Sequence, residues 1–263
     1  MKKEKRINKQ EIKSDSPLNY LKKSKKEIKI IIIIFIFSIL IGFLNAENLA
    51  EIENLLKSLI EQTSNLKGIE LIGFILVNNT FSSFLGMILG IFLGIFPIIT
   101  TISNGVILGY VLKRTAESVG VIEFWRLFPH GIFELPAVFI SLGLGLKLGK
   151  DIIKNYLKTN KKNRSMQFLG IISIILPIIG IIILRSIIIN APQNTIYLIY
   201  SILSFVFSFI LILQFLILFF IMDKKIRKFN IERIYNSLKI FIKIVMPLLI
   251  IAAIIEGLLI TAL

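Results

Sequence analysis

The chain has 263 residues, 55% of them hydrophobic and only 18% charged, with a mean hydropathy of +0.83. A soluble domain carries about 25% charged residues, and it has nowhere to hide repeated apolar runs of ~20 residues, the thickness of a hydrocarbon layer. The absence of cysteine excludes disulfides, thiolate metal sites and a Cys nucleophile. The net charge of +15 is then a question of where the cations lie along the chain, and it gives no case for nucleic acid as a partner.

Residues 1–27 form a basic arm, read as a disordered segment attracted to anionic lipid headgroups. Apolar segments follow at 28–45, 71–96, 98–118, 130–149, 168–189, 196–222 and 240–262. The first starts after a long polar stretch and ends at a poor cleavage site, so it reads as a retained span. Residues 46–69 place Leu49, Ile52, Leu56, Leu59, Ile60 and Leu66 near helical spacing, opposite Glu47, Glu51, Glu53 and Glu61. That pattern predicts an amphipathic helix on the outer surface or over the mouth of the bundle. The second and third segments merge into one run, and Pro97 is where a tight turn is expected to divide it. Residues 119–129 look interfacial through Phe124, Trp125 and Phe128. Basic linkers at 151–167 and 223–239 flank two further spans at 168–222, and 240–263 is the final span.

Charge gives this threading a direction. With the N-terminus in the cytoplasm and the spans alternating, regions 1–29, 147–164 and 223–243 are cytoplasmic and hold 25 of the 31 Lys and Arg residues. The reverse orientation violates the positive-inside rule. The expected fold is an all-α polytopic bundle of about seven spans, N-in and C-out, with one amphipathic outer-surface helix.

Small residues recur every four positions: Ser82, Gly86, Gly90 and Gly94, then Gly105 and Gly109, then Gly145 and Gly149. On helices they share faces and let backbones approach. The approach is either within the chain or between two copies in a homodimer. Pro129 suits a helix start. It opens Pro129-His130-Gly131-Ile132-Phe133-Glu134, in which the sole histidine and an intramembrane carboxylate share a face. The pair reads as a hydrogen bond that pins the span, or as part of a proton relay or polar substrate site. One His and one Glu are too few for a metal, and no metal or cofactor is expected. Glu256, counted along the last span, reaches a similar depth in the outer half, with His130, Arg114 and Arg126 as candidate partners. Asn78, Asn79 and Asn104 are either interhelical glue or the lining of the same cavity.

Together these residues resemble the stage II sporulation protein M family. The resemblance rests on Asn78-Asn79, the glycine ladder behind it, Asn104-Gly105 with Gly109, the Pro129-His130-Gly131-x-x-Glu134-x-Pro136-Ala137 motif, and the ending from Pro247 to Glu256-Gly257 and Thr261. It covers 28–150 and 240–263, with 168–222 as an addition. It implies a membrane component that works with peptidoglycan-degrading partners in sporulating bacteria.

Two functions follow. The first is a non-enzymatic scaffold or assembly protein of the plasma membrane that holds membrane or cell-envelope proteins. The second is a transporter or channel-like protein whose outer-half cavity is lined by Asn78, Asn104, His130, Glu134 and Glu256. An intramembrane hydrolase lacks a convincing nucleophile.

Overall fold

The computed structural model describes residues 16–159 and 224–262. Every element among them is helical. The two spans expected at 168–222 and residues 160–167 of the linker lie outside the described residues.

The basic arm is helical from Pro17 onward. Ser16 caps α1 (Pro17–Lys23), its side chain accepting from the Asn19 N–H, and Pro17 occupies the first turn. Ser24 then joins α1 to α2 (Lys25–Leu44). Among the flanking lysines Tyr20 is fully buried, so this stretch packs as an element in its own right.

After α2 a short 3₁₀ turn, Ala46–Asn48, leads into α3 (Ala50–Thr63), the amphipathic helix expected between the first two spans. It is tethered to the bundle by a polar contact. Tyr110 Oη donates to Glu53 Oε2 at 3.3 Å, and Arg114 Nε donates to Tyr110 Oη at 3.3 Å. Lys57 lies 2.8 Å from Glu53 on the next turn. Its ammonium, by hydrogen bond and by charge, holds the Glu53 carboxyl below the usual carboxylate range.

The run from Leu71 onward breaks earlier than Pro97. Helix α4 (Ile69–Ile88) tightens into a 3₁₀ turn, Leu89–Ile91, and the chain reverses through Leu93 and Gly94, at φ of 62° and 75°. Gly94 tolerates that left-handed conformation because it has no Cβ. It is therefore the N-cap of α5 (Ile95–Ser118) and not the last rung of a ladder on α4. Pro97 sits buried in the first turn of α5, where its missing N–H costs nothing, because first-turn N–H groups have no helical acceptor.

A 3₁₀ segment, Val121–Leu127, leads to α6 (Phe128–Thr159). The chain re-enters as α7 (Lys224–Ile240), passes through a π-helical turn, Phe241–Val245, and ends in α8 (Met246–Ala262). The wide turn lies just before Pro247, whose ring would clash with the carbonyl four residues back in a regular α-helix.

Five of these stretches are long and apolar enough to cross a membrane: Lys25–Leu44, Ile69–Ile91, Ile95–Ser118, Pro129–Asn155 and Asn230–Thr261. Their outward residues are apolar too. Phe37, Leu40 and Ile41 on α2 and Leu258 and Ile260 on α8 are exposed, a surface that suits lipid and not water. The chain is an all-α membrane helix bundle.

The chain divides into two compact units, Met1–Lys150 with Ile231–Leu263, and Asp151–Asn230. In the second, Asn155 Nδ2 donates to Asn230 Oδ1 at 2.7 Å. In the first, Tyr20, Met87, Leu144, Leu148, Ile240 and Leu249 share one core. Here the glycines act within the chain. A Cβ on Gly90 would meet the backbone of Gly145, and one on Gly149 would meet Gly94 and Gly90. Gly105 and Gly109 seat α5 on Phe35, Ser38 and Ile39 of α2. The expected small-residue faces are thus filled by neighbours of the same chain. Gly42 against Val106, Gly143 against Ile28 and Gly257 against Ile72 do the same work outside any repeat.

At the glycine-packed end the buried Glu27 takes Lys150 at 2.5 Å and Lys147 at 4.0 Å. Arg233 lies 5.8 Å from the centre of the Tyr20 ring. The chain therefore leaves α6 and returns to the final span at the same end of the first unit.

Candidate functional site

At the opposite end of the first unit, α4, α5 and α6 draw apart around a cavity of about 740 Å³. Phe35 of α2 and Phe124 also reach it, and the rest of the wall is mostly apolar. Its polar lining includes residues that the sequence singles out, Asn78, Asn79 and Ser82 on α4, Asn104 on α5, His130 and Glu134 on α6, together with Ser83 and Thr100, which it does not.

Interhelical glue would show as hydrogen bonds between helices, yet Asn78, Asn79 and Asn104 make none among the described residues. Polar groups at a helix interface are almost always paired with protein or water. All three residues line the cavity. By contrast, Ser141 on the same helix as His130 donates to the Ser83 carbonyl at 2.8 Å and does act as glue.

His130 and Glu134 meet Glu256 of α8. One ligand-type atom from each lies within 4.8 Å of the others. Glu256 approaches the pair from the last span and is not part of the cavity wall. His130 Nδ1 is buried without a hydrogen-bond partner among the described residues. The two-ligand count that argues against a metal holds along α6 alone; in space there are three. Arg114 is not among the partners of this cluster. It engages Tyr110 and Glu117 at the end of α5. The side chain of Arg126 lies outside the described residues.

The backbone effect of a proline is a further contributor that the sequence does not single out. Pro136 sits inside α6. It cannot donate to the carbonyl of Ile132, one turn earlier, and both residues line the cavity. A proline in a membrane helix frees a backbone acceptor, here beside Glu134.

The sequence matches the model of the family described as stage II sporulation protein M over residues 31–189, more than half of the chain. The chain belongs to that family. The match runs past residue 150 and takes in the apolar segment at 168–189, while 240–263 lies outside it. No curated protein and no solved structure matches the chain. Of the site residues of this stage II sporulation protein M family member, Asn78, Asn79, Asn104, His130 and Glu134 fall inside the matched range, and Glu256 does not.

Proposed function

We propose that this protein is a multi-pass component of the plasma membrane, N-terminus inside, that binds a polar or amphiphilic solute in the outer-half cavity and works as a carrier or channel-like protein, without catalysis. The observation that carries the reading is the set of amides, Asn78, Asn79 and Asn104, unpaired among the described residues, around an open space of about 740 Å³. Unpaired polar groups in a membrane protein are costly, and they belong where water or a ligand reaches them. The mostly apolar wall with a few convergent polar groups is the usual make-up of a small-molecule site. The depth follows from the charge distribution, which puts the glycine-packed end with its lysines inside.

The chain has no cysteine of its own, so single Cys variants report cleanly. Ser82→Cys and Asn104→Cys should react with a membrane-impermeant charged thiol reagent added to the outer face of intact cells. An Ile36→Cys control on the lipid-facing side should not. Unreactive thiols at both cavity positions in folded protein would sink the reading.

A scaffold function is the second reading. It is favoured by Leu55, Leu59 and Ile60, exposed on α3 outside the five spans, where envelope or membrane proteins could seat. Replacing all three with Ser should abolish co-purification of such partners from native membranes. Failure to recover any reproducible partner with the unaltered chain would count heavily against it.

A further inference from the structure

We infer that His130, Glu134 and Glu256 form a binding site for a divalent first-row transition-metal ion, held where α6 meets α8 beside the cavity. The inference deepens the cavity reading and rests on it for the path by which the ion arrives.

The first support is chemical. An imidazole and two carboxylates are a ligand set for Zn²⁺ or Mn²⁺, too nitrogenous for Mg²⁺ or Ca²⁺ and lacking the thiolates of a softer site. Their donor atoms lie within 4.8 Å of one another. Around a tetrahedral ion at about 2.0–2.2 Å from each ligand, donor atoms sit roughly 3.3–3.5 Å apart. The donor atoms then have about 1.5 Å or less to close.

The second support is the convergence itself. His130 and Glu134 are one turn apart on α6, whereas Glu256 comes from the other end of the sequence. Helices separated by more than 100 residues have brought two carboxylates together between membrane spans, without Lys or Arg among the partners that either of them has in the described residues. Two anions at that spacing repel strongly where the dielectric is low. A divalent cation balances both charges, and the neutral imidazole adds no further charge.

The third support is the buried, unpartnered His130 Nδ1. A buried ring nitrogen without a hydrogen bond is a deficit that the fold itself leaves. An ion in the cluster gives the imidazole its missing function. Three protein ligands leave at least one coordination position open, and His130 and Glu134 both also line the cavity. A solute carrying an anionic oxygen would complete the shell there.

The test uses the full chain in lipid nanodiscs, stripped with chelator and then titrated with Zn²⁺ or Mn²⁺ by calorimetry, with metal counted by mass spectrometry. One ion per chain is expected, together with a rise in thermal midpoint that grows with ion concentration. Glu134→Gln and Glu256→Gln keep the side-chain volume and should each weaken binding at least ~100-fold, more than the loss typical of a ligand's supporting partner. His130→Gln should do the same. Absence of stoichiometric binding in the folded wild-type chain overturns the site. Retained affinity in both Gln variants overturns it as well. If Asn104→Cys reacts from outside while no ion binds, the metal site fails and the cavity reading stands. If the ion binds while that thiol stays unreactive, the cavity reading fails on its own.

Discussion

The two ends of the first unit solve the same problem in opposite ways. At one end Gly90, Gly94, Gly145 and Gly149 bring α4, α5 and α6 into backbone contact, and the buried charge of Glu27 is met by Lys150. At the other end the same three helices separate, and Asn78, Asn79, Asn104 and His130 Nδ1 have no hydrogen-bond partner among the described residues. A bundle that can seat its backbones that closely at one end is not loosely packed by default. In lipid, where association depends on packing, the open end has been given up for something other than stability.

The largest effect should come from breaking the closed end. Gly149→Val puts a branched side chain onto the backbone of Gly94 and Gly90, where no flexible atom can yield. A loss of about 3 kcal/mol or more is expected, at or above the top of the usual overpacking range, measured as unfolding in mixed micelles. Gly131→Val at the cavity end meets nothing within 4 Å and should change stability by no more than about 0.5 kcal/mol. Equal losses in the two variants would erase the contrast.

The next effect is polar. Glu27→Ala removes the partner of Lys150 and should cost about 1.5–3 kcal/mol, the range for hydrogen bonds to charged groups. Asn104→Leu at the open end removes an amide that makes no hydrogen bond among the described residues, so it should leave unfolding unchanged or delay it while closing the cavity. A large loss of stability in Asn104→Leu would return that residue to a structural role.

Much of this contrast was legible along the chain, and the illegible parts share a cause. Span lengths, the amphipathic helix and the common depth of His130, Glu134 and Glu256 all follow from counting residues at a fixed rise along a helix. The chain reversal does not. Pro97 is the visible interruption, but the break lies at Leu93 and Gly94, and the left-handed Leu93 leaves no local signature. Residues 17–27 look like a solvated arm because their charges dominate the average, which hides the buried Tyr20. Gly42, Gly143 and Gly257 belong to no repeat; their partners Val106, Ile28 and Ile72 are fixed only by the packed bundle. The partnership of Glu256 with α6 is likewise a tertiary fact. Depth alone could not choose between the arginines and the second carboxylate.

The smallest effect lies on α3, at the rim of the open end. Glu53 ties this helix to Tyr110, and Lys57 holds its carboxyl below the ordinary value of 4.5 while Glu53 in turn raises the Lys57 ammonium above its own. A carboxyl lowered by folding contributes stability that is present above its unfolded value and lost as pH falls through the folded one. The lysine works in reverse, contributing below its unfolded value and losing that contribution as pH rises through its raised one. The tether is therefore complete across the neutral range and weakens first on the acid side, at a pH below the usual carboxylate range. Both groups are exposed to solvent, and salt screens such pairs, so the bundle should not melt. A fluorophore on Ser58→Cys, an exposed position on the same helix, should lose anisotropy as pH falls through that window, and added salt should shrink the change. Glu53→Gln should show the low-anisotropy state at every pH. A probe that responds identically in both chains would mean that α3 is held by its apolar face alone, and that the polar tether plays no part in covering the cavity end.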